Sequence, residues 1–226
     1  MSLQNITSTF WNGKRVLITG HTGFKGSWLS LWLQKLGSTV RGISLEPLIS
    51  PAMFNIANVG EDMEHYVADI RDLPALKKHI IDFSPDVLFH MAAQPLVRMS
   101  YYSPVETIET NVMGTVNVLE ASRFGKDLKP IVNVTTDKCY ENQEWFWGYR
   151  EDEPMGGHDP YSSSKGCVEL LSAAYRKSFL AEAGIAMATA RAGNVIGGGD
   201  WAIDRLVPDV LRSLESCTPV QIRSPN

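Results

Sequence analysis

A glycine recurs every three residues in Thr19-Gly20-His21-Thr22-Gly23-Phe24-Lys25-Gly26, between one short apolar run and one longer one. The run before it is Arg15-Val16-Leu17-Ile18 and the run after it is Trp28-Leu29-Ser30-Leu31-Trp32-Leu33, so the order is strand, turn, helix. Glycines at that junction permit a tight turn, a close backbone approach to a diphosphate, and a helix packed near its strand. The helix N-terminus then offers unpaired N–H groups and a positive dipole end to that diphosphate. Gly20, Thr22, Gly23, Phe24, Lys25 and Gly26 are therefore candidate dinucleotide contacts. A glycine triplet alone also fits a plain turn, so the rest of the chain has to supply the remainder of a dinucleotide fold.

Taken in order, the chain supplies strands and helices in alternation. Residues 1–13 read as a polar lead-in and 15–19 as the first strand. A helix to Leu36 follows, its apolar stripe formed by Trp28, Leu29, Trp32, Leu33 and Leu36, with Gly37 as the stop. After a second strand at 39–43, the position where an acidic residue selects NAD holds Ser44, and the nearest carboxylate is Glu46. The residues thus decide NAD over NADP only weakly. A third strand at 66–70 delivers Asp69 and Ile70, which suit either a helix cap or an adenine pocket, the carboxylate taking the exocyclic amine and Ile70 covering the ring.

A helix is expected over 73–83 and a buried parallel strand over 86–91, ending in Ala92-Ala93-Gln94, where small residues let a cofactor cross the sheet edge. Ser103-Pro104-Val105-Glu106 reads as a capping box opening a helix to about Phe124, with Asn111 and Asn117 inside it. At least one of these asparagines reads as a buried hydrogen-bonding residue. A fifth strand at 130–134 leads into Thr135-Thr136-Asp137-Lys138, followed by an irregular loop at 144–157 and a long helix over 161–183. A sixth strand at 186–191, a helix at 204–214 and a last strand at 219–223 complete the reading. This alternation calls for a doubly wound parallel α/β sheet of the Rossmann-like type.

Composition narrows the class. The 226 residues are 44% hydrophobic and 20% charged with a net charge of −4, an ordinary globular balance that favours neither nucleic-acid nor membrane-surface partners. Cys139, Cys167 and Cys217 are far apart without C-x-x-C spacing and read as reduced thiols of a cytoplasmic protein. The five histidines lack ligand spacing and read as satisfied polar residues, so no metal is expected. Met1 to Phe10 has no apolar segment of the secretory kind, and no apolar run reaches membrane-spanning length.

Tyr161 and Lys165 are four apart at the start of a helix and share one face. A lysine ammonium and a bound nicotinamide both favour the phenolate, bringing a tyrosine towards use as a base, and the lysine can hold the nicotinamide ribose. With the glycine loop upstream and a threonine ending the fifth strand, the combination is more than a chance spacing.

The T-G-x-x-G-x-x-G spacing resembles the short-chain dehydrogenase/reductase superfamily. Gly20-His21-Thr22-Gly23-Phe24-Lys25-Gly26-Ser27-Trp28, His90-Met91-Ala92-Ala93-Gln94-Pro95-Leu96-Val97-Arg98, Thr135-Thr136-Asp137-Lys138-Cys139-Tyr140, Asp159-Pro160-Tyr161-Ser162-Ser163-Ser164-Lys165 and Arg191-Ala192-Gly193-Asn194 resemble, more narrowly, the CDP-glucose 4,6-dehydratases. Related dTDP-glucose dehydratases have Thr-Asp-Glu where this chain has Thr136-Asp137-Lys138. The resemblance implies NAD and a CDP-glucose substrate. It implies that Tyr161 removes the C4 hydroxyl proton, Thr136 holds the C4 oxygen, Lys138 takes the C5 proton and Asp137 protonates the departing C6 hydroxyl. By position Asn194 would contact the sugar or diphosphate, and Arg98 and Arg205 the diphosphate. It further implies a homodimer through the helices starting near Ser103 and Tyr161. Members of the family continue into a smaller C-terminal region that closes over the nucleotide, so residues 1–226 are expected to hold the dinucleotide-binding part, with the substrate region largely absent. Another nucleotide-sugar dehydratase or epimerase, or a silent dinucleotide-binding module, stand as alternatives.

Overall fold

The computed structural model describes residues 9–222; the first eight residues of the lead-in and 223–226 lie outside them. Strand β1 (Arg15–Thr19) sits at the centre and is buried on both faces, Val16 and Ile18 pointing one way and Leu17 the other. It pairs in parallel with β2 (Thr39–Ser44) on one side and β4 (Val87–His90) on the other. With β3 (Glu64–Val67), β5 (Pro130–Thr136) and β6 (Ala186–Ala192), the sheet runs in the order β3-β2-β1-β4-β5-β6. The order reverses between β1 and β4, so the loops leaving their carboxyl ends diverge and open a crevice, the place where doubly wound sheets bind ligands.

Helix α1 (Phe24–Lys35) covers one face over Val16, Ile18, Leu33, Val40 and Val87. A short α2 (Met53–Ile56) precedes β3. The other face is closed by α3 (Leu73–Phe83) and by a helix built of α5 (Pro104–Ile108), a π-turn (Glu109–Met113) and α6 (Gly114–Ser122), over Leu17, Leu76, Ile80, Leu88, Leu119 and Ile131. Helix α4 (Val97–Tyr102) follows β4. Helix α7 (Pro160–Tyr175) runs into a second π-turn (Arg176–Leu180), and α8 (Leu206–Glu215) ends the described fold.

Several expectations change for local reasons. Only part of the α1 stripe faces the sheet: Leu33 is in the core with Leu29 packed beside it, whereas Trp28 is 50% and Trp32 60% exposed and Gly26, Ser27 and Ser30 take the buried positions instead. A Cβ on Gly26 would lie 2.2 Å from the Gly20 carbonyl oxygen, so the glycine turn brings the helix too close for anything large beneath it. Strand β3 ends at Val67 because Asp69 folds back, its carboxylate accepting from the Arg71 backbone N–H at 2.8 Å. The capping box at Ser103 does not form: its N–H is already bonded to the Met99 carbonyl at 2.9 Å, at the end of α4, which leaves Glu106 nothing to cap. Helix α8 starts at Leu206, and residues 219–222 form no strand; Arg223 lies outside the described residues.

His90 and His21 give the fold a pH dependence. The buried His90 ring has Nδ1 2.7 Å from Thr19 Oγ1 and Nε2 2.9 Å from Thr115 Oγ1; burial, then the Lys165 charge, brings its pKa down to about 3. His21, buried with Nε2 2.6 Å from His65 Nδ1, is lowered to about 4 by burial and then by His65, with only a smaller upward pull from the Ile43 backbone. In both cases the unfolded chain takes the proton first as pH falls below about 6.5. Stability should therefore drop with falling pH, by as much as ~2.7 kcal/mol per pH unit where both unfolded rings are charged and both folded rings neutral. Urea midpoints measured between about pH 7 and 4.5 test this. A flat profile would mean that both rings charge freely inside the fold.

Candidate active site

The crevice between β1 and β4 collects the candidate residues. Gly20 adopts φ +80°, and a Cβ there would meet the Ala92 backbone nitrogen at 2.6 Å, so the loops after β1 and β4 pass each other with no room for a side chain. Thr22 ties the glycine loop to the end of β2, its Oγ1 donating to the Leu45 carbonyl at 2.8 Å and lying 2.7 Å from Ser44 Oγ. Gly23 is different: at φ −74° a Cβ would touch only the Gly20 carbonyl oxygen, at 3.4 Å. Open space above the first turn of α1 is what a diphosphate on a helix N-terminus needs. Phe24 packs under Gly197, whose Cβ would be 3.0 Å from its ring, and the Trp28 indole N–H donates to the Gly198 carbonyl at 2.9 Å. The loop after β6 thus reaches across to the glycine loop.

Asp69 and Ile70 stand at the neighbouring sheet end. The Asp69 carboxylate accepts from Arg71 Nε at 2.9 Å and Nη2 at 2.6 Å, and these bonds hold its pKa below the ordinary carboxylate value. Ile70 is buried in the core, its side chain seated against Gly114, where a Cβ would come within 2.4 Å of Ile70 Cδ1. Ala92 lies against the Gly20 turn and Ala93, half-buried, follows it, while Gln94 braces its own loop, bonding Leu96 through both ends of its amide and reaching Thr107 Oγ1 at 3.0 Å.

Tyr161 and Lys165 emerge from the first turns of α7, which is held by the Asp159 cap accepting from Ser162 N–H at 2.9 Å and by Ser100 Oγ accepting from Tyr161 N–H at 3.2 Å. Both side chains are buried, and the Lys165 ammonium sits 5.9 Å from the centroid of the Tyr161 ring. The pKa of Tyr161 itself is raised in this structure. Burial raises it, and the Thr136 hydroxyl and Arg205 only partly oppose this. Lys165 is the group that shifts most towards neutrality here, to about 8, by burial first and the Lys25 charge second, against a smaller upward pull from Glu169. Lys25 is itself lowered, by partial desolvation first and then by Arg205. Lys25, Lys165 and Arg205 therefore crowd one another electrostatically, an arrangement that a polyanion relieves.

Thr136 ends β5, and Asp137–Cys139 form one 3-10 turn beyond it, Thr136 Oγ1 donating to Asp137 Oδ1 at 3.0 Å. Asp137 and Lys138 are exposed. Gly193 passes close by, a Cβ there falling 3.5 Å from Asp137 Oδ2, which places the exposed Asn194 beside the same turn. Arg98 is ion-paired with Asp204 at 2.9 Å, and Arg205 Nη2 reaches the Pro95 carbonyl at 3.5 Å, so both arginines flank the loop after β4. All three cysteines are free thiols, and among the described residues no group of histidine, cysteine and carboxylate side chains has metal-site geometry.

Residues 17–197 match the family model described as GDP-mannose 4,6 dehydratase. The chain belongs to that family. Among its relatives, a CDP-glucose 4,6-dehydratase of Salmonella typhimurium is 56% identical over 225 residues, covering 97% of this chain and 63% of that protein. This chain therefore spans a little under two thirds of that relative's length. An epimerase of Methanothermobacter thermautotrophicus superposes with a TM-score of 0.84 at 26% identity over 99% of this chain and 66% of the other. A dTDP-glucose 4,6-dehydratase of Bacillus anthracis, solved in complex with NAD, superposes at 0.78 with 22% identity over 94% of this chain and 65% of the other. The Rossmann-like fold class and the resemblance to nucleotide-sugar dehydratases both hold.

Family membership does not by itself point to the residues that hold the site together. Asn111, turned inward by the π-turn, bonds Gln94 N–H at 2.8 Å, the Gln94 carbonyl at 3.1 Å and Ser164 Oγ at 2.9 Å, joining the β4 loop to α7. Asn117 instead donates to the Ile70 and Arg71 carbonyls. Ser100 and Glu169 carried no motif signal. Their partners lie far away in sequence, so only the fold pairs them.

Proposed function

We propose that this chain carries the dinucleotide-binding and catalytic part of an NAD-dependent CDP-glucose 4,6-dehydratase, which forms CDP-4-keto-6-deoxyglucose by net loss of water. The observation that carries the reading is the meeting, at one crevice, of a Tyr161/Lys165 pair with Thr136-Asp137-Lys138, in a chain 56% identical to a dehydratase of that substrate. The open first turn at Gly23 and the cations Lys25, Lys165 and Arg205 fit NAD and a sugar diphosphate. When bound, NAD supplies the reversible redox step, oxidising the sugar at C4 and later reducing it at C6.

This chain's residues supply the proton transfers. Tyr161, with the Thr136 hydroxyl beside it, takes the C4 hydroxyl proton. The resulting ketone acidifies the C5 hydrogen. Lys138, as a free amine, removes that proton while Asp137, as an acid, protonates the leaving C6 oxygen; when C6 is reduced, the proton that Lys138 holds returns to C5. Moving one proton from the Lys138 ammonium to the Asp137 carboxylate creates that neutral pair without any change in proton count. Water opposes the transfer and a dry site favours it. Because both side chains are exposed here, the elimination pair becomes competent only when substrate covers it. Asn194, Arg98 and Arg205 are assigned to the sugar and its diphosphate, and Asp69 with Ile70 to the adenine end.

Exposed Val105, Ile108 and Met113 on the α5–α6 helix and Leu170 on α7 support a homodimer through these helices, tested by sedimentation equilibrium. A nucleotide-sugar substrate and NAD support a cytoplasmic location, tested by cell fractionation. The reaction itself is tested by mass spectrometry of CDP-glucose incubated with the chain and NAD. Loss of one water is expected. An unchanged mass with inversion at C4 would make the enzyme an epimerase, and no change at all would leave a silent binding module.

A further inference from the structure

One buried ion pair is unused by this chemistry. Glu169 lies on α7, one turn beyond Lys165 and two beyond Tyr161, and is buried. Its carboxylate accepts from Thr135 Oγ1 at 2.5 Å, Thr189 Oγ1 at 2.8 Å and Arg191 Nη2 at 3.0 Å. Arg191 in turn donates through Nη1 to the Tyr140 hydroxyl at 2.6 Å and the Glu151 carbonyl at 2.9 Å, with its guanidinium 4.9 Å from the Tyr140 ring centroid. Thr135 and Arg191 are register partners across β5 and β6. Burial pushes the Glu169 carboxyl up, but its hydrogen bonds to Arg191, Thr135 and Thr189 outweigh this and keep its pKa below the usual value.

A buried ion pair adds little stability, because desolvating two charges cancels most of their attraction. A guanidinium fork does impose direction on whatever it holds. Here the two arms of the pair end on Thr135 and Tyr140, which bracket Thr136-Asp137-Lys138-Cys139. Between those anchors the backbone makes a single 3-10 turn. The root of the pair is on the helix that carries Tyr161 and Lys165.

We propose that Glu169 and Arg191 are positioning residues that set the elimination pair, Asp137 and Lys138, against the oxidising pair, Tyr161 and Lys165. The reaction works on C4 from α7 and on C5 and C6 from the turn after β5, so two separate elements must address adjacent carbons of one sugar. The Glu169–Arg191 pair links them from beneath, alongside the Thr136–Tyr161 contact and the Asn133–Ser172 hydrogen bond, and it alone of these holds both ends of the turn. This proposal rests on the dehydratase reading above.

The full 226-residue chain, with NAD and CDP-glucose, provides the test. Arg191→Lys keeps the charge and loses the fork; Tyr140→Phe removes one hydrogen bond and leaves the Glu169 carboxylate fully paired. In Arg191→Lys, NADH absorbance should form at nearly the wild-type rate while water loss falls about a hundredfold, the scale of a misplacement of roughly 1 Å. Tyr140→Phe should shift the partition the same way, by about tenfold. A second readout needs no turnover. Amide exchange over residues 136–140 should quicken by about tenfold in Tyr140→Phe, the scale of one lost hydrogen bond, with residues 160–175 and NAD affinity unchanged. Oxidation and elimination falling in parallel, or exchange rising across β5, β6 and α7 together, would make the pair a plain structural clamp and overturn the proposal. Unchanged partition and exchange would overturn it too. If the wild-type chain itself releases no water, the exchange result alone decides whether the pair anchors the turn.

Discussion

Gly23→Val is expected to abolish dinucleotide binding in a chain that still folds, whereas Gly26→Ala should lose binding because the loop itself is displaced. The two glycines are one helical turn apart yet face opposite constraints. Gly23 has φ −74°, which any residue adopts, and a Cβ there meets a single atom at ordinary contact distance. The branched side chain of valine would project into the open space over the first turn, where a diphosphate meets the backbone. Affinity for NAD should fall at least about a hundredfold, or ~2.7 kcal/mol, with the thermal midpoint close to wild type. At Gly26 a Cβ would stand 2.2 Å from the Gly20 carbonyl oxygen and 2.8 Å from His21 Cα, both backbone atoms that cannot rotate away. The helix must move off the sheet, at a cost of about 1–3 kcal/mol or more from overpacking alone. Calorimetric NAD titration and thermal melts on both variants separate the two effects. Undiminished NAD affinity in a folded Gly23→Val chain would remove the glycine loop from the binding site.

Lys165→Met should stabilise the ligand-free chain while disabling it. Lys165 is 6% exposed, and its pKa is lowered from 10.5 to about 8, by burial and then by Lys25. A lysine lowered in the fold is charged in both states below about pH 8, and there it carries the full cost of its buried charge. As pH rises from about 8 towards 10.5, the folded lysine sheds its proton first and that cost is relieved, so wild-type stability should climb through this window. Methionine fills similar space without the charge and should gain on the order of 1–3 kcal/mol at neutral pH. Substrate-dependent NADH formation should drop by about a hundredfold or more, since Tyr161 is already raised by burial and would lose its cationic neighbour. Denaturant unfolding and NADH absorbance on the same preparation measure both sides. A less stable Met variant would mean that the ammonium is held by more than its repulsions suggest.

Much of this was legible in the sequence, where the determinant is local. Helix α3 spans the expected residues because Asp72 caps it and Pro74 sits in its first turn. The glycine loop and Tyr161/Lys165 are local spacings, and they land in the same crevice. Leu29 and Leu33 of the α1 stripe face the core and the two tryptophans do not, since an apolar stripe predicts the buried face only where a helix has room for its large side chains. Trp28 and Trp32 are displaced outward by a constraint set at Gly20 and Gly26, ahead of the stripe. The Ser103 signal failed similarly: its N–H was taken by Met99, in a helix that the residues around it did not announce. Asn111 with Ser164, Arg98 with Asp204 and Glu169 with Arg191 are pairings made by topology, and no window along the chain contains both members. The raised pKa of ligand-free Tyr161 was not legible, because charge neighbours can be guessed from spacing while burial cannot.

The strand order also sets a timetable for synthesis. Strands β1, β2 and β3 pair with one another and are all complete once residue 67 has been made. The other edge of β1 stays bare until β4, whose Val87 registers with Val16, has been added. β5 and β6 then extend from β4, pairing that closes only late and over long stretches of chain, the kind that folds slowly. The seam between the early and late halves is the β1–β4 crevice. A ligand lying across that seam binds only the joined state, so in the cell a dinucleotide would act on this chain as a folding clasp, drawing the late half onto the early one in proportion to its concentration over its Kd.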